Sequence, residues 1–198
     1  MPTCETTQAS AIHDRYAGRE GALIGHFGTY SPAVSELLLD LLPPLVEGRF
    51  NPAVLLLGAG SEAFGRRLVD AHPRLADRVQ VLGHLSVREL SGHLAASDLL
   101  IQPYPDGMSS RRTSAMAGLS LGRPIVTTSG HLTEPLWAES GAVVLADVAD
   151  RRGFVAEVER LLGDSAERQR LGTKAQALYD DRFHIRHTIA ALRASLAA

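Results

Sequence analysis

Lysine is nearly missing from this chain. Of its 20 basic residues only Lys174 is a lysine, so any cationic site must be built from arginine, whose planar fork suits carboxylate and phosphate groups. Cysteine is as scarce. Cys4 stands alone, which excludes a disulfide framework and a thiolate metal cluster. No apolar run approaches the roughly 20 residues of a membrane-spanning helix. The stretch from Met1 to Tyr16 is polar and lacks the apolar segment of a secretory signal, so the expected compartment is the cytoplasm. Neither sign of charge dominates: 20 basic residues face 22 acidic ones, for a formal net charge of -2. That balance removes the basic footprint of a nucleic-acid binder. No His, Asp or Glu cluster has metal-ligand spacing, and there is no internal repeat or low-complexity segment. What remains is 198 residues, 45% hydrophobic and 21% charged, an ordinary globular composition with length enough to bury a core unaided.

From Ala22 onward short apolar runs alternate with helix-length amphipathic ones. That alternation predicts an α/β domain, a Rossmann-like doubly wound parallel sheet of about six strands with helices on both faces. The candidate strands are Leu23 to Phe27, Ala53 to Leu57, Val79 to Leu82, Leu99 to Gln102, Pro124 to Thr128 and Ala142 to Leu145. Their runs are continuously apolar, as strands buried on both faces require. Ser31-Pro32 marks one helix start, Ser61-Glu62 a second, and the capping box Ser86 to Glu89 a third. Ser109 or Ser110 is expected to open a helix running to Leu121, which Gly122 and Pro124 end. Three further helices are expected over about 151–162, 165–179 and 186–196. Residues 1–21 read as a polar tail or linker, 22–162 as the sheet domain, and 163–198 as a helical C-terminal tail.

In such sheets ligands bind at the carboxyl ends of the strands, and two turns there invite attention. Gly58-Ala59-Gly60-Ser61-Glu62-Ala63 matches a dinucleotide-type glycine turn. It follows the second strand rather than the first, however, and the stretch from Val79 to His84 offers no acidic residue to hold a ribose. A tight structural turn and a phosphate-approaching turn for another nucleotide both remain open. The second turn runs from Pro103 to Ser114. If Ser109 or Ser110 opens the helix, Arg111 and Arg112 occupy its first turn, where the helix dipole disfavours cations by about 0.3–1 kcal/mol each. An anion docked among the arginines, Ser109, Ser110, Thr113 and open amides would explain that placement. Exposure to solvent, or pairing with nearby carboxylates, is the alternative.

The order of motifs from about Leu23 to Leu162 resembles the carboxy-terminal, nucleotide-sugar-binding half of glycosyltransferase family 4, of the two-domain GT-B fold. The resemblance is carried by Leu55 to Gly60, then Val79 to Leu85, Glu89-Leu90, and Ala96 to Pro103. It continues through Ser114 to Ala117, Gly122 to Thr128, Glu134 and Gly141. It departs from the family at three points. Where the family has two glutamates separated by seven residues, this chain has Asp106 and, eight further on, Ser114. Where the family places Arg and Lys after the first strand, this chain has His26 to Tyr30, so Arg111 and Arg112 are expected to have taken over the charge. The third departure is length: a complete enzyme of the family is about twice as long, so an amino-terminal acceptor-binding domain is expected to be missing.

The resemblance implies metal-independent transfer from a nucleoside-diphosphate sugar, with retention of configuration and no cofactor. It assigns catalytic roles to Asp106 and Arg111. Donor contacts fall to Gly28, Gly83, His84, Leu85, Gly107, Met108, Ser109, Ser110, Arg112, Thr113, Ser114 and Glu134. In this reading the base lies against the main chain at Gly83 to Leu85, the diphosphate at Ser109 to Thr113, and the ribose near Ser114. The sugar hydroxyls meet Asp106 and the amides of Gly107 and Met108. His26 and His84 end strands at the same edge and are further candidate contacts. No nucleic-acid partner is expected, a lone half should transfer little sugar, and peripheral membrane association of an intact enzyme stays open. Two other classes also stay open: a non-catalytic nucleotide-binding or assembly module, and half of a GT-B-like epimerase or phosphorylase.

Overall fold

The computed structural model describes residues 6–196; Cys4 lies outside them. Six strands form one parallel sheet: β1 (Leu23–Phe27), β2 (Ala53–Leu57), β3 (Val79–Gly83), β4 (Leu99–Gln102), β5 (Ile125–Ser129) and β6 (Val144–Asp147). Their spatial order is β3-β2-β1-β4-β5-β6, and each neighbouring pair is parallel. The helices are α1 (Thr6–Ala17), α2 (Pro32–Val46), α3 (Ser61–Ala71), α4 (Val87–Ala96) and α5 (Thr113–Ser120). They continue with α6 (Pro135–Ser140), α7 (Arg151–Leu162), α8 (Ser165–Leu178) and α9 (Ile185–Leu196).

Strand β2 shows why the sheet is covered on both sides. All five of its residues are buried, and successive side chains point to opposite faces. Val54 and Leu56 join the core formed with α2, α3 and α7, through Leu38, Leu41, Leu68, Phe154 and Val158. Ala53, Leu55 and Leu57 join the opposite core, with Leu94 of α4, Ala115 and Leu119 of α5, and Trp137 of α6. Burying each such leucine stabilises the fold by about 1.5–3 kcal/mol.

Besides shifts of one or two residues at the bounds of β3, β5 and β6, the chain departs from the sequence expectation at three places. Residues 6–17, polar in composition, form α1, which packs through Ala9, Ile12 and Tyr16 against the second core. His13 Nε2 lies 3.1 Å from Asp98 Oδ2, which also accepts the Leu23 amide at 2.8 Å, so α1 is tied to the start of β1. The second departure is the start of α5, at Thr113 rather than Ser109 or Ser110. The Ser110 amide is drawn away to the Glu134 carboxylate at 2.8 Å, and the Met108 amide to the Thr128 carbonyl at 2.8 Å, which keeps 103–112 out of helical conformation. Arg111 therefore lies in a turn and Arg112 is the N-cap residue, so neither sits in the first helical turn. Third, a π-helical turn over Tyr179–Phe183 separates α8 from α9.

Candidate functional site

The strand order reverses between β1 and β4, and ligands in doubly wound sheets bind at such a switch point. A cleft of about 620 Å³ opens there. Its floor is the end of β1 and the loop after it, His26 to Ser31. One wall is His84 to Val87 with Leu90, and the other is Gln102, Tyr104 and Arg111 to Ser114.

The glycine turn after β2 reaches only the rim, through Gly58 and Ala59. Gly58 has φ +105°, and a Cβ there would stand 2.3 Å from the Gly28 carbonyl oxygen. Its amide donates to the Gly83 carbonyl at 2.8 Å, while the Gly28 amide donates to the Leu57 carbonyl at 3.1 Å. The glycines thus serve a close approach of three strand ends, and the Gly58 and Ser61 amides are spent inside the protein, on the Gly83 and Gly58 carbonyls.

The opposite wall is different. Arg112 pairs with Asp106, and its guanidinium carbon lies 4.5 Å over the Tyr104 ring centroid, a cation–π placement. Arg111 is exposed and lines the cleft; its carbonyl accepts from the Thr113 amide at 3.1 Å, but its guanidinium makes no hydrogen bond to any described residue. Glu134 does not line the cleft. Its Oε2 accepts from the Ser110 amide at 2.8 Å, the Ser110 hydroxyl at 3.0 Å and Trp137 Nε1 at 2.7 Å. Burial pulls its pKa up, but these bonds and the neighbouring Arg111 together carry it below the ordinary carboxylate value. Glu134 thus stays ionised and braces the segment that presents Arg111.

Of the residues expected from the sequence, the cleft gathers Gly28, His84, Leu85, Arg111, Arg112, Thr113 and Ser114. It does not gather Gly83, Asp106, Gly107, Met108, Ser109, Ser110 or Glu134. The Gly83 amide donates to Ser61 Oγ at 3.1 Å and its carbonyl accepts from Gly58. The amides of Gly107 and Met108, expected to donate to a sugar, already donate to the carbonyls of Tyr104 and Thr128 at 3.1 and 2.8 Å. Met108 and Ser109 are buried.

Among the lining residues, Tyr104 and Gln102 have no role in the sequence reading, and His26 is there only a further candidate contact. Tyr104 and Gln102 have no short-range signature. His26 had been singled out only by its strand-end position. It is 1% exposed and its Nδ1 lies 2.9 Å from the Ile101 carbonyl, so the ring donates there and Nε2 carries a lone pair. Burial lowers its pKa from 6.5 to about 4, against the partial opposition of the Ile101 bond, so the ring is neutral at pH 7. Among the described residues no three His, Cys, Asp or Glu side chains converge as a metal would need. No helix among them is long and apolar enough to cross a membrane.

Fold and cleft together define a Rossmann-like α/β protein whose ligand edge presents arginine beside a helix start. The chain belongs to the group 1 glycosyltransferases: that family's profile matches residues 21–164. No curated protein sequence matches it significantly. Among solved structures it is similar to HepE of Anabaena in complex with UDP and glucose, with a TM-score of 0.76 and 18% identity over 98% of this chain and 53% of that one. It is also similar to sucrose-phosphate synthase of Thermosynechococcus elongatus, at 0.72 and 16% over 96% and 49%. A third likeness is to WaaG, a glycosyltransferase involved in lipopolysaccharide biosynthesis, at 0.65 and 17% over 90% and 48%. At these identities the likeness is one of fold, and the chain spans about half the length of the solved structures it matches.

Proposed function

We propose that this chain is the donor-binding, carboxy-terminal half of a family 4 glycosyltransferase, taking a nucleoside-diphosphate sugar and transferring the sugar with retention and without a metal. The observation that carries this reading is the exposed Arg111 guanidinium, facing the cleft beside the start of α5 with no hydrogen bond to a described residue. A diphosphate placed there meets a guanidinium fork and the positive end of a helix dipole, which together stabilise a departing nucleoside diphosphate. The nucleoside then lies along Leu85, Val87 and Leu90, the apolar wall of the same cleft. Asp106 reaches the sugar only after Arg112 leaves it, so donor binding and the opening of this ion pair are coupled. Acceptor binding falls to a domain outside this chain. Neighbours solved with UDP and with UDP-glucose make uridine the first base to try.

A second reading is favoured by one feature. Ser114 stands where the family resemblance expects a carboxylate, which fits a module that binds nucleotide without turning it over. Calorimetric titration of the chain with UDP and GDP tests both readings, with saturable heat expected for at least one nucleotide. Heat with a nucleotide, and slow release of sugar from its donor, supports the transferase. Heat without release supports the module, and no heat at low salt contradicts both.

A further inference from the structure

We propose that Tyr104 and Gln102 are positioning residues that fix the Ser114 hydroxyl as a hydrogen-bond acceptor for a ribose hydroxyl in the cleft. This rests on the nucleotide reading above and assigns it a discriminating contact.

The argument is a count of protons. Gln102 is fully buried, and its amide nitrogen lies 3.1 Å from the Phe27 carbonyl. A carbonyl can only accept, so the NH2 group must face Phe27 and the amide oxygen must face the other way. That oxygen lies 3.4 Å from the Tyr104 hydroxyl. It is the acceptor of the Tyr104 proton, because otherwise it would be a buried acceptor with no donor, at a cost of about 1–3 kcal/mol. Tyr104 has one proton and spends it on Gln102. The 2.9 Å contact between Tyr104 and Ser114 oxygens is therefore donated by Ser114.

The surroundings agree with this direction. Tyr104 is 6% exposed. Burial pushes its pKa up to about 12, against hydrogen bonds from Ser114 and the Ala115 amide, so the phenol keeps its proton at any ordinary pH. With its proton committed inward, Ser114 Oγ offers lone pairs to the cleft it lines. A ligand hydroxyl that donates fits that edge, whereas a ligand group that only accepts does not. Gln102 ends β4, Ser114 lies in the first turn of α5, and Tyr104 between them is pinned by its amide to Thr128 Oγ1 at 2.8 Å, which suits a contact that must be held in place.

The test compares the affinity of the full chain for UDP and for its 2′,3′-dideoxy counterpart, by calorimetry, in four proteins. The native chain is expected to favour UDP by about fivefold, the worth of one hydrogen bond. Ser114→Ala and Tyr104→Phe are each expected to reduce that preference to twofold or less, and the double variant to reduce it no further. Tyr104→Phe keeps the ring under Arg112, and unchanged affinity for the dideoxy nucleotide reports that each variant is folded. A preference that survives Tyr104→Phe while Ser114→Ala abolishes it overturns the relay and leaves the nucleotide reading intact. A preference that survives Ser114→Ala overturns the relay as well. No binding of either nucleotide by the native chain overturns both.

Discussion

Two strand-to-helix turns share one edge of the sheet, and both carry the residue types of a phosphate site. They differ in what is left over once the chain has satisfied itself. In the turn at 58–63 the Gly58 amide is bonded to Gly83, and Gly58 has no room for a Cβ beside Gly28. In the turn at 103–114 the backbone is likewise pinned, by Thr128 and Glu134, but Arg111 and the Ser114 hydroxyl remain turned toward the cleft. A glycine pattern thus marks where backbones meet. A binding site needs polar groups that the fold does not consume.

That contrast can be broken at either turn. The largest effect is expected at the closed one. Gly58→Ala forces a side chain into a positive-φ conformation against a carbonyl at 2.3 Å, and should cost about 3 kcal/mol or more. Urea denaturation would show it as a lower midpoint, and an unchanged midpoint would mean that the turn is looser than described. Next comes His26, between the two turns. Its folded pKa of about 4 lies below the ordinary 6.5, so between those values the unfolded chain binds more protons than the folded one. Stability should therefore fall as pH drops from about 6.5, losing about 3 kcal/mol by pH 4. His26→Gln should flatten that part of the stability profile, and a variant with the native slope would contradict the assignment. The smallest effect is expected at Asp106. Its carboxylate competes with an anionic ligand for Arg112, so Asp106→Asn should tighten nucleoside-diphosphate binding by a few-fold. Weaker binding would show instead that Asp106 orients Arg112 for the ligand.

Legibility followed the range of the interactions. The bounds of β1, β2 and β4 are readable because glycine, proline or polar residues bracket each apolar run. The Ser86 to Glu89 capping box is readable because both of its bonds are local, and both are present. The start of α5 was not readable, since a carboxylate 24 residues away takes the Ser110 amide. Helix α1 was not readable either. Its few apolar positions, Ala9, Ile12 and Tyr16, matter only once α4 is beside them. Strand β6 begins at Val144 although Ala142 and Val143 are already core residues, because apolar burial and strand pairing need not start together. At the site, sequence located Arg111 and Ser114 on the cleft wall. It could not show that Arg112 and Asp106 pair with each other, or that the Gly107 and Met108 amides are used internally.

The central claim is that Arg111 is held open for a diphosphate. Its most direct test is calorimetric titration of UDP and GDP into the native chain and into Arg111→Ala at low salt. The account predicts that the variant loses about tenfold or more in affinity for whichever nucleotide binds, as the loss of a charge-assisted contact requires, while its urea midpoint stays where it was. Equal affinity in the two proteins would contradict it.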